Sequence, residues 1–254
     1  MHNFFNPGEH AEIMIPMYGT IHIITLLLAV LFVILIIWKK NTVKKLVTNR
    51  RFMLGLVVVY MSIDLLYWIL IWAFKVEPRF ERFPLHLCAS LSILMPVLIL
   101  IQKYNWFRFF SYWSVCAGFI SLINPSFIHD AAWSFAFIHY LIRHGFLFLI
   151  PIIIQIGMEF NHRYREFLLS CAVLASYGFL IFLLDWITGA NYMHLGRNNP
   201  LEIPFLPENF TKWPWSYPSF VGVGIILMHL TYLGLALPGR KKRFGPQTTH
   251  TDNV

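Results

Sequence analysis

Long apolar runs constrain the fold of this chain more than any other feature. A helix that crosses the hydrocarbon core of a bilayer needs roughly 20 mostly apolar residues. Runs of about this length occur at residues 18–38, 52–74, 84–101, 106–123, 132–156, 167–187 and 218–237. The sequence therefore predicts an all-α polytopic membrane protein, with a single domain of seven transmembrane helices over residues 1–238.

The composition excludes several other classes of protein. Of the 254 residues, 57% are hydrophobic and only 13% are charged, whereas a soluble domain has about 25% charged residues. A disordered chain, a nucleic-acid-binding module and an ordinary cytosolic enzyme are therefore excluded. The three cysteines, Cys88, Cys116 and Cys171, lack CxxC spacing, so the sequence indicates neither a disulfide framework nor a zinc ribbon.

The basic residues predict how the protein is oriented in the membrane. Fourteen of the 20 lysines and arginines fall in the loop at 39–51, the third-to-fourth connection, the fifth-to-sixth connection and the tail at 239–254. The positive-inside rule places this side in the cytoplasm. The N-terminus is then outside, and residues 239–254 form a basic cytoplasmic tail. The net charge of +8 is largely an orientation signal, so no nucleic-acid partner is expected.

The connection at 188–217 is predicted to be an ordered outer loop rather than a linker. It contains several prolines and apolar clusters. Three aromatic side chains near its end, Trp213, Trp215 and Tyr217, suit the membrane–water interface.

Ionisable and polar side chains within the apolar runs are costly, which makes them candidate functional residues. With the N-terminus outside, most of them fall in the outer half of the membrane: His22, His86, Cys88, Asn124, His139, Arg143, His144 and Asp185. Asp64 and His229 fall nearer the middle. This asymmetry predicts one polar pocket open toward the outer leaflet.

Structural roles are the alternative for several of these residues. Asp64 could hold an interhelical hydrogen bond, and Arg143 could form a buried ion pair with Asp64 or Asp185. His22 and His229 suit packing or interface positions, Asp185 suits headgroup water, and Cys116 and Cys171 suit inert core positions.

Helical spacing divides the histidines of the fifth run. His139 and His144 are five residues apart, or about 140° around a helix. His144 shares a stripe with Tyr140, whereas His139 shares one with Arg143. A Cys–His or water–His pair across the third and fifth runs would suit nucleophilic or general-base chemistry on an ester. The motifs of soluble lipases, zincins and His-x-x-x-x-Asp acyltransferases do not occur.

Several segments resemble the YwaF-type integral membrane proteins of bacteria, whose animal relative is transmembrane protein 164. In chain order they are Pro84-Leu85-His86-Leu87-Cys88, Ile123-Asn124-Pro125, the run FIHYLIRHGFLFLIP from Phe137 to Pro151, Asn191-Tyr192-Met193, and Trp213-Pro214-Trp215 with Tyr217. They extend over most of the chain in the family's order.

The resemblance implies an acyltransferase that moves fatty acyl chains onto lysophospholipids through a reactive cysteine and a histidine. It places His144 at the position of that histidine. The animal protein has Pro-Cys-His where this chain reads Pro84-Leu85-His86, so Leu85 stands at the place of the nucleophile. The nearest thiol, Cys88, follows three residues later and can face the same side of a helix.

The sequence thus predicts a membrane-embedded acyltransferase acting on phospholipid or lysophospholipid in the cell membrane, the bacterial cytoplasmic membrane if the resemblance holds. Its catalytic residues would be His144 as general base, Cys88 or a water as nucleophile, and His86 as a second acid–base or oxyanion-stabilising group. No metal or cofactor is expected. The candidate substrate-binding residues are His139, Tyr140, Arg143, Asn124, Asp64, Asp185, Asn191, Trp213 and Trp215.

Two alternatives belong to other functional classes. A metal-dependent lipid hydrolase could use His86, His139, His144 and Asp64 or Asp185 around zinc, although no His-x-x-x-His pair occurs. A non-catalytic lipid-binding or transport protein would need none of this chemistry, but the sequence shows no repeated halves of the kind many transporters contain.

Overall fold

The computed structural model describes residues 4–5, 18–75, 83–124, 134–197 and 207–240. Within these residues the chain is all-helical, with no β strand. The helices are α1 (Thr20–Trp38), α2 (Lys40–Thr48), α3 (Arg50–Phe74), α4 (Leu87–Leu100), α5 (Tyr104–Ile123), α6 (Phe135–Met158), α7 (Tyr164–Thr188), α8 (Glu208–Thr211) and α9 (Ser216–Arg240). A 3₁₀ turn (Tyr192–His194) follows α7.

Six of these helices are long and apolar enough to cross a membrane: α1, α3, α5, α6, α7 and α9. The predicted all-α, multi-pass architecture is therefore supported. The third predicted span, residues 84–101, contains only the 14-residue α4, which is about 21 Å long against a hydrocarbon core of about 30 Å. The helix is shorter than its apolar run because Pro84 and Leu85 form a turn and His86 is extended.

Two further differences from the sequence prediction lie in the connections. The loop at 39–51 contains the helix α2, which the search for long apolar runs did not reveal. The outer loop is described at residues 188–197 and 207–217, where it forms the 3₁₀ turn and α8. Most of the predicted basic tail, residues 241–254, lies outside the described residues.

The helix α5 lies at the centre of the bundle and packs against α4, α6, α7 and α9. Its closest neighbour is α6, and Gly118 permits that approach. A Cβ atom at this position would lie 2.6 Å from the backbone nitrogen of Phe148 and 2.8 Å from the carbonyl oxygen of His144. The absence of a side chain at Gly118 therefore sets the distance between α5 and the part of α6 that carries the candidate histidine.

A buried hydrogen-bond network ties three helices together near one end of the bundle. His162 lies in the connection between α6 and α7. Its Nε2 donates to Gln155 Oε1 at 2.7 Å, and its Nδ1 accepts from the Tyr112 hydroxyl at 2.6 Å. The amide of Gln155 in turn donates to the carbonyl oxygens of Phe160 and Leu235. Burial, together with the nearby positive charge of Arg108, lowers the pKa of His162 to about 4, so its ring is neutral at physiological pH.

The basic connections meet at this same end. Lys44 of α2 lies 3.5 Å from Glu159 at the end of α6, and Arg108 of α5 lies 2.7 Å from Glu166 at the start of α7. The structure therefore gathers three of the basic segments that the sequence assigned to one side. Which side of the membrane this end faces stays a prediction.

We expect Gly118→Ala to lower the free energy of unfolding by about 1–3 kcal/mol, because the new methyl group meets backbone atoms that cannot rotate away. Gly145→Ala, on α6, is the matched control. No atom lies within 4 Å of its added Cβ, so removing a helical glycine there should leave stability unchanged or raised by up to about 1 kcal/mol. Thermal unfolding in detergent measures both, and equal effects would contradict the proposed close packing at Gly118.

Candidate functional site

A buried carboxylate on α3 gathers side chains from two other helices. The Oδ1 atom of Asp64 accepts hydrogen bonds from His139 Nε2 and from Arg143 Nε, both at 2.9 Å, and Arg143 Nη2 lies 2.8 Å from the same oxygen. The Oδ2 atom accepts from Ser92 Oγ of α4 at 3.1 Å. Of the two partners that the sequence allowed for Arg143, the structure therefore pairs it with Asp64.

Aromatic rings enclose this ion pair. The ring of Tyr67 stacks on His139 with centroids 3.8 Å apart. The Arg143 guanidinium lies 5.1 Å from the centroid of the Tyr67 ring and 5.4 Å from that of Trp68, within the range of cation–π attraction. Nη2 of Arg143 is buried and makes no hydrogen bond of regular geometry, so the guanidinium retains donor capacity beyond Asp64.

A second cluster joins α4, α5 and α6 through Ser121. The Cys88 sulfur lies 3.5 Å from Ser121 Oγ, and its thiol is 3.9 Å from the carbonyl oxygen of Ala117. The Tyr140 hydroxyl donates to the carbonyl oxygen of Ser121. The rings of Tyr140 and His144 are 4.0 Å apart. These contacts place Cys88 and His144 in one cluster, in which Ser121 and Tyr140 connect them. We call these four residues the Ser121 cluster.

The hydrogen bonds of His144 define which of its nitrogens is basic. Nδ1 is 2.8 Å from the carbonyl oxygen of Tyr140, one turn earlier on α6. Because a carbonyl can only accept, Nδ1 carries the proton and Nε2 carries the lone pair. Among the described residues His144 makes no hydrogen bond to Cys88, so the sulfur and the imidazole are neighbours in one cluster rather than a bonded pair.

His86 lies in a third cluster, where it holds the outer loop. Its Nδ1 accepts a hydrogen bond from the backbone N–H of Met193 at 3.1 Å. Its ring packs against those of Tyr192 and His194, with centroids 5.2 Å and 6.0 Å away. Burial lowers the pKa of His194, which favours the neutral form of its ring. Leu85 packs beside this loop with Tyr192 and Leu195 rather than in the Ser121 cluster.

The backbone of this loop has an unusual conformation that side chains maintain. Met193 and His194 both have positive φ angles, 54° and 57°, which cost about 1–3 kcal/mol each at a non-glycine residue. Asp185 Oδ1 accepts from the N–H of Tyr192 at 3.0 Å, and Asn191 Oδ1 accepts from that of Gly196 at 2.9 Å. Asp185 and Asn191 therefore brace the loop, together with His86.

The remaining predicted site residues are Asn124, Trp213 and Trp215. Asn124 is buried and ends α5. Trp213 stacks on Phe182 of α7, and the guanidinium of Arg197 lies 4.5 Å from its ring. Trp215 is exposed. The structure thus brings Trp213 close to α7 and leaves Trp215 at the surface, apart from the Ser121 cluster.

The sequence predicted one polar pocket, whereas the structure shows three packed clusters. The residues Asp64, His139, Arg143 and His144 are at most 9% exposed, and their side chains mainly contact one another or aromatic rings. No group of three or more His, Cys, Asp or Glu side chains arranged to hold a metal occurs among the described residues. Of the ligands that a zinc site would need, only Asp64 and His139 lie in one cluster, whereas His144 and His86 lie in the other two.

Sequence reasoning missed Ser121, Ser92 and Tyr67 as members of these clusters. Ser92 follows Cys88 by one helical turn, a spacing that could have marked it. Tyr67 follows Asp64 by three residues, about one turn on the same helix, which is a signal of the same kind. Ser121 carries no such signal, because its partners are on other helices and far away in the sequence.

The model of the TMEM164 family matches residues 17–232. No curated protein and no solved structure matches the chain significantly. The family match confirms the resemblance to transmembrane protein 164, while the YwaF-type bacterial branch stays a prediction.

We expect His86→Ala to accelerate hydrogen exchange at the Met193 amide about fivefold, because the N–H loses an acceptor worth about 1 kcal/mol. His86→Asn can present an oxygen near the position of Nδ1 and should retain most of the protection. The Tyr192 amide, which Asp185 holds, is the internal reference. Unchanged exchange at Met193 in the alanine variant would show that His86 does not hold the loop.

Proposed function

The chain belongs to the TMEM164 family, and from this membership together with the Ser121 cluster we propose that it is a lipid acyltransferase embedded in the membrane. It would move a fatty acyl chain from a phospholipid to a lysophospholipid. The observation that carries the proposal is the convergence of a thiol on α4 and an oriented imidazole on α6 at one buried cluster, with Cys88 and His144 joined through Ser121 and Tyr140.

The proposed reaction has two steps that use the same pair of residues. His144 Nε2 accepts the thiol proton of Cys88, and the thiolate attacks the carbonyl carbon of the donor ester. The ester C–O bond breaks, the leaving alkoxide takes the proton from His144, and a thioester remains on Cys88. The hydroxyl of a lysophospholipid then gives its proton to His144 and attacks the thioester. The C–S bond breaks, and the leaving thiolate takes the proton from His144, which restores the thiol of Cys88.

The resting contacts of Cys88 give this mechanism a first requirement. The thiol contacts Ser121 Oγ and the carbonyl oxygen of Ala117, so it must leave these partners to reach His144. In the proposal, entry of the substrate ester between α4 and α6 causes this rotation. Tyr140 is a positioning residue, because its carbonyl oxygen fixes the tautomer of His144.

The cluster around Asp64, which contains His139 and Arg143, suits substrate binding rather than the chemical steps. Because Asp64 neutralises Arg143, the pair is a poor site for a second full charge. Nη2 of Arg143 lies 2.8 Å from Asp64 Oδ1 without a hydrogen bond of regular geometry, and it could donate to the neutral carbonyl oxygen of an ester. We therefore keep Arg143 as a substrate-binding residue, with Asp64 and His139 holding it in position.

We also propose the seven-span topology, with α4 as the seventh crossing, the N-terminus outside and the basic end in the cytoplasm. Two observations support it. The termini of α4 lie in different parts of the fold. His86 contacts the outer loop, whereas α4 ends at Leu100, three residues before Lys103 of a basic connection. The basic segments also share one end of the bundle.

A non-catalytic lipid-binding role is the second candidate. The observation that favours it is that Cys88 and His144 are not hydrogen-bonded and that Asp64, His139 and Arg143 largely contact one another. The metal-dependent hydrolase gains no such support, because no three of its candidate ligands lie together among the described residues.

The topology predicts that single cysteines label from opposite sides of the membrane in intact cells. An impermeant maleimide should reach Phe83→Cys and Lys75→Cys from outside, but Gln102→Cys and Lys40→Cys only after lysis. Phe83 and Gln102 flank α4 and test whether it crosses, since labelling of both from the same side would rule out seven spans. The native cysteines are buried or half-buried, so the background is low.

The acyltransferase proposal predicts that purified protein transfers a labelled acyl chain from a donor phospholipid to lysophospholipid. His144→Ala should lower the turnover by about 10²–10⁴-fold, the usual contribution of a general base, and Cys88→Ala should abolish it. Cys116→Ala and Cys171→Ala remove buried thiols outside the Ser121 cluster and should leave turnover unchanged.

Equal background turnover in the wild type, His144→Ala and Cys88→Ala would exclude the enzyme. If the wild type nevertheless retains lysophospholipid through purification, the non-catalytic lipid-binding role would take its place.

A further inference from the structure

The short helix α2 lies between two membrane-length helices and cannot cross the membrane itself. Its nine residues extend about 14 Å. It follows Trp38, the last residue of α1, after a single non-helical residue, and α3 begins two residues after its end. Its position is therefore fixed at the end of the bundle where α1 finishes and α3 starts.

One face of α2 is packed against the end of α6. Val47 is 2% exposed, and its neighbour one turn earlier, Val43, is half-buried against the core. Gly157 of α6 makes the contact possible, since a Cβ atom there would lie 2.6 Å from the Val47 Cβ. The helix is thus a fixed part of the fold rather than a loose connection.

The remainder of α2 and its flanks is strongly basic and exposed. Residues 39–51 contain six lysines and arginines and no acidic residue: Lys39, Lys40, Lys44, Lys45, Arg50 and Arg51. All six are exposed. Lys44 lies 3.5 Å from Glu159; the other five form no ion pair among the described residues. We call these six residues the basic collar.

Apolar and aromatic side chains lie beside the basic collar and are also exposed. Trp38 is 70% exposed, and the ammonium group of Lys39 lies 4.2 Å from the centroid of its ring. Leu46 and Phe52 are exposed on α2 and at the start of α3. Positive charge next to exposed apolar side chains at a helix end matches a position at the boundary between headgroups and acyl chains.

We propose that the basic collar binds the headgroups of anionic phospholipids and that this contact anchors the basic end of the bundle. Phosphodiester anions supply the charge that the five unpaired side chains lack. The acyl chains of the same lipids cover Leu46 and Phe52. The assignment does not depend on acyl transfer, because the basic collar is separate from the Ser121 cluster.

The test uses the full-length protein in detergent, with equal amounts of phosphatidylglycerol and phosphatidylcholine added, and native mass spectrometry to count bound lipid. The wild type should retain phosphatidylglycerol in preference to phosphatidylcholine. Lys40→Gln with Lys45→Gln should lower the affinity for phosphatidylglycerol about 25-fold, or about fivefold for each charge removed near an anionic surface. Raising the salt concentration should weaken the same preference.

Two double variants serve as controls. Lys40→Arg with Lys45→Arg keeps the charge and should retain phosphatidylglycerol, which separates loss of charge from loss of structure. Lys75→Gln with Lys212→Gln removes the same charge away from the basic collar and should have no effect. Equal retention of both lipids by the wild type would overturn the proposal. So would equal losses in the two glutamine variants, or equally lysine-dependent binding of an oligonucleotide in place of lipid.

Discussion

A polar group inside the hydrocarbon core has no water to bond with, and this constraint organises the bundle around Asp64. An isolated carboxylate there would cost several kcal/mol or more. Asp64 is instead surrounded by donors from two other helices, with Ser92 on α4 and His139 and Arg143 on α6. Removing one partner of Asp64 would leave a buried charge unpaired, which is strongly destabilising. The side chain of Asp64 therefore holds α3, α4 and α6 in a fixed arrangement.

The Ser121 cluster depends on that relation. Arg143 and His144 are adjacent on α6, so the ion pair that orients Arg143 also sets the rotation of α6 about its axis. On the other side of the helix, Gly118 lets the α5 backbone approach His144 to within contact distance. The position of the candidate base thus follows from one buried ion pair and one missing side chain.

Properties that depend on neighbouring residues could be predicted from the sequence. The apolar runs predicted the helical fold, and the different stripes of His139 and His144 predicted that they would meet different partners. Contacts between residues distant in the sequence could not be predicted. His86 and Met193 are 107 residues apart, and no spacing rule reveals that one accepts the backbone N–H of the other. The helix α2 was missed for another reason, since its only signal is the pair Val43 and Val47 within a polar segment.

The turn before α4 couples the outer loop to the candidate nucleophile. His86 holds Met193, Tyr177 of α7 donates to the carbonyl oxygen of Leu85 at 2.7 Å, and Cys88 follows within one turn. A displacement of the loop would therefore break or lengthen a hydrogen bond to His86, two residues before Cys88. Leu85 packs against the loop, whereas the Cys88 thiol contacts Ser121 and Ala117 of α5. Three residues thus separate a side chain that packs with the loop from the thiol that lies against α5, in the first turn of α4.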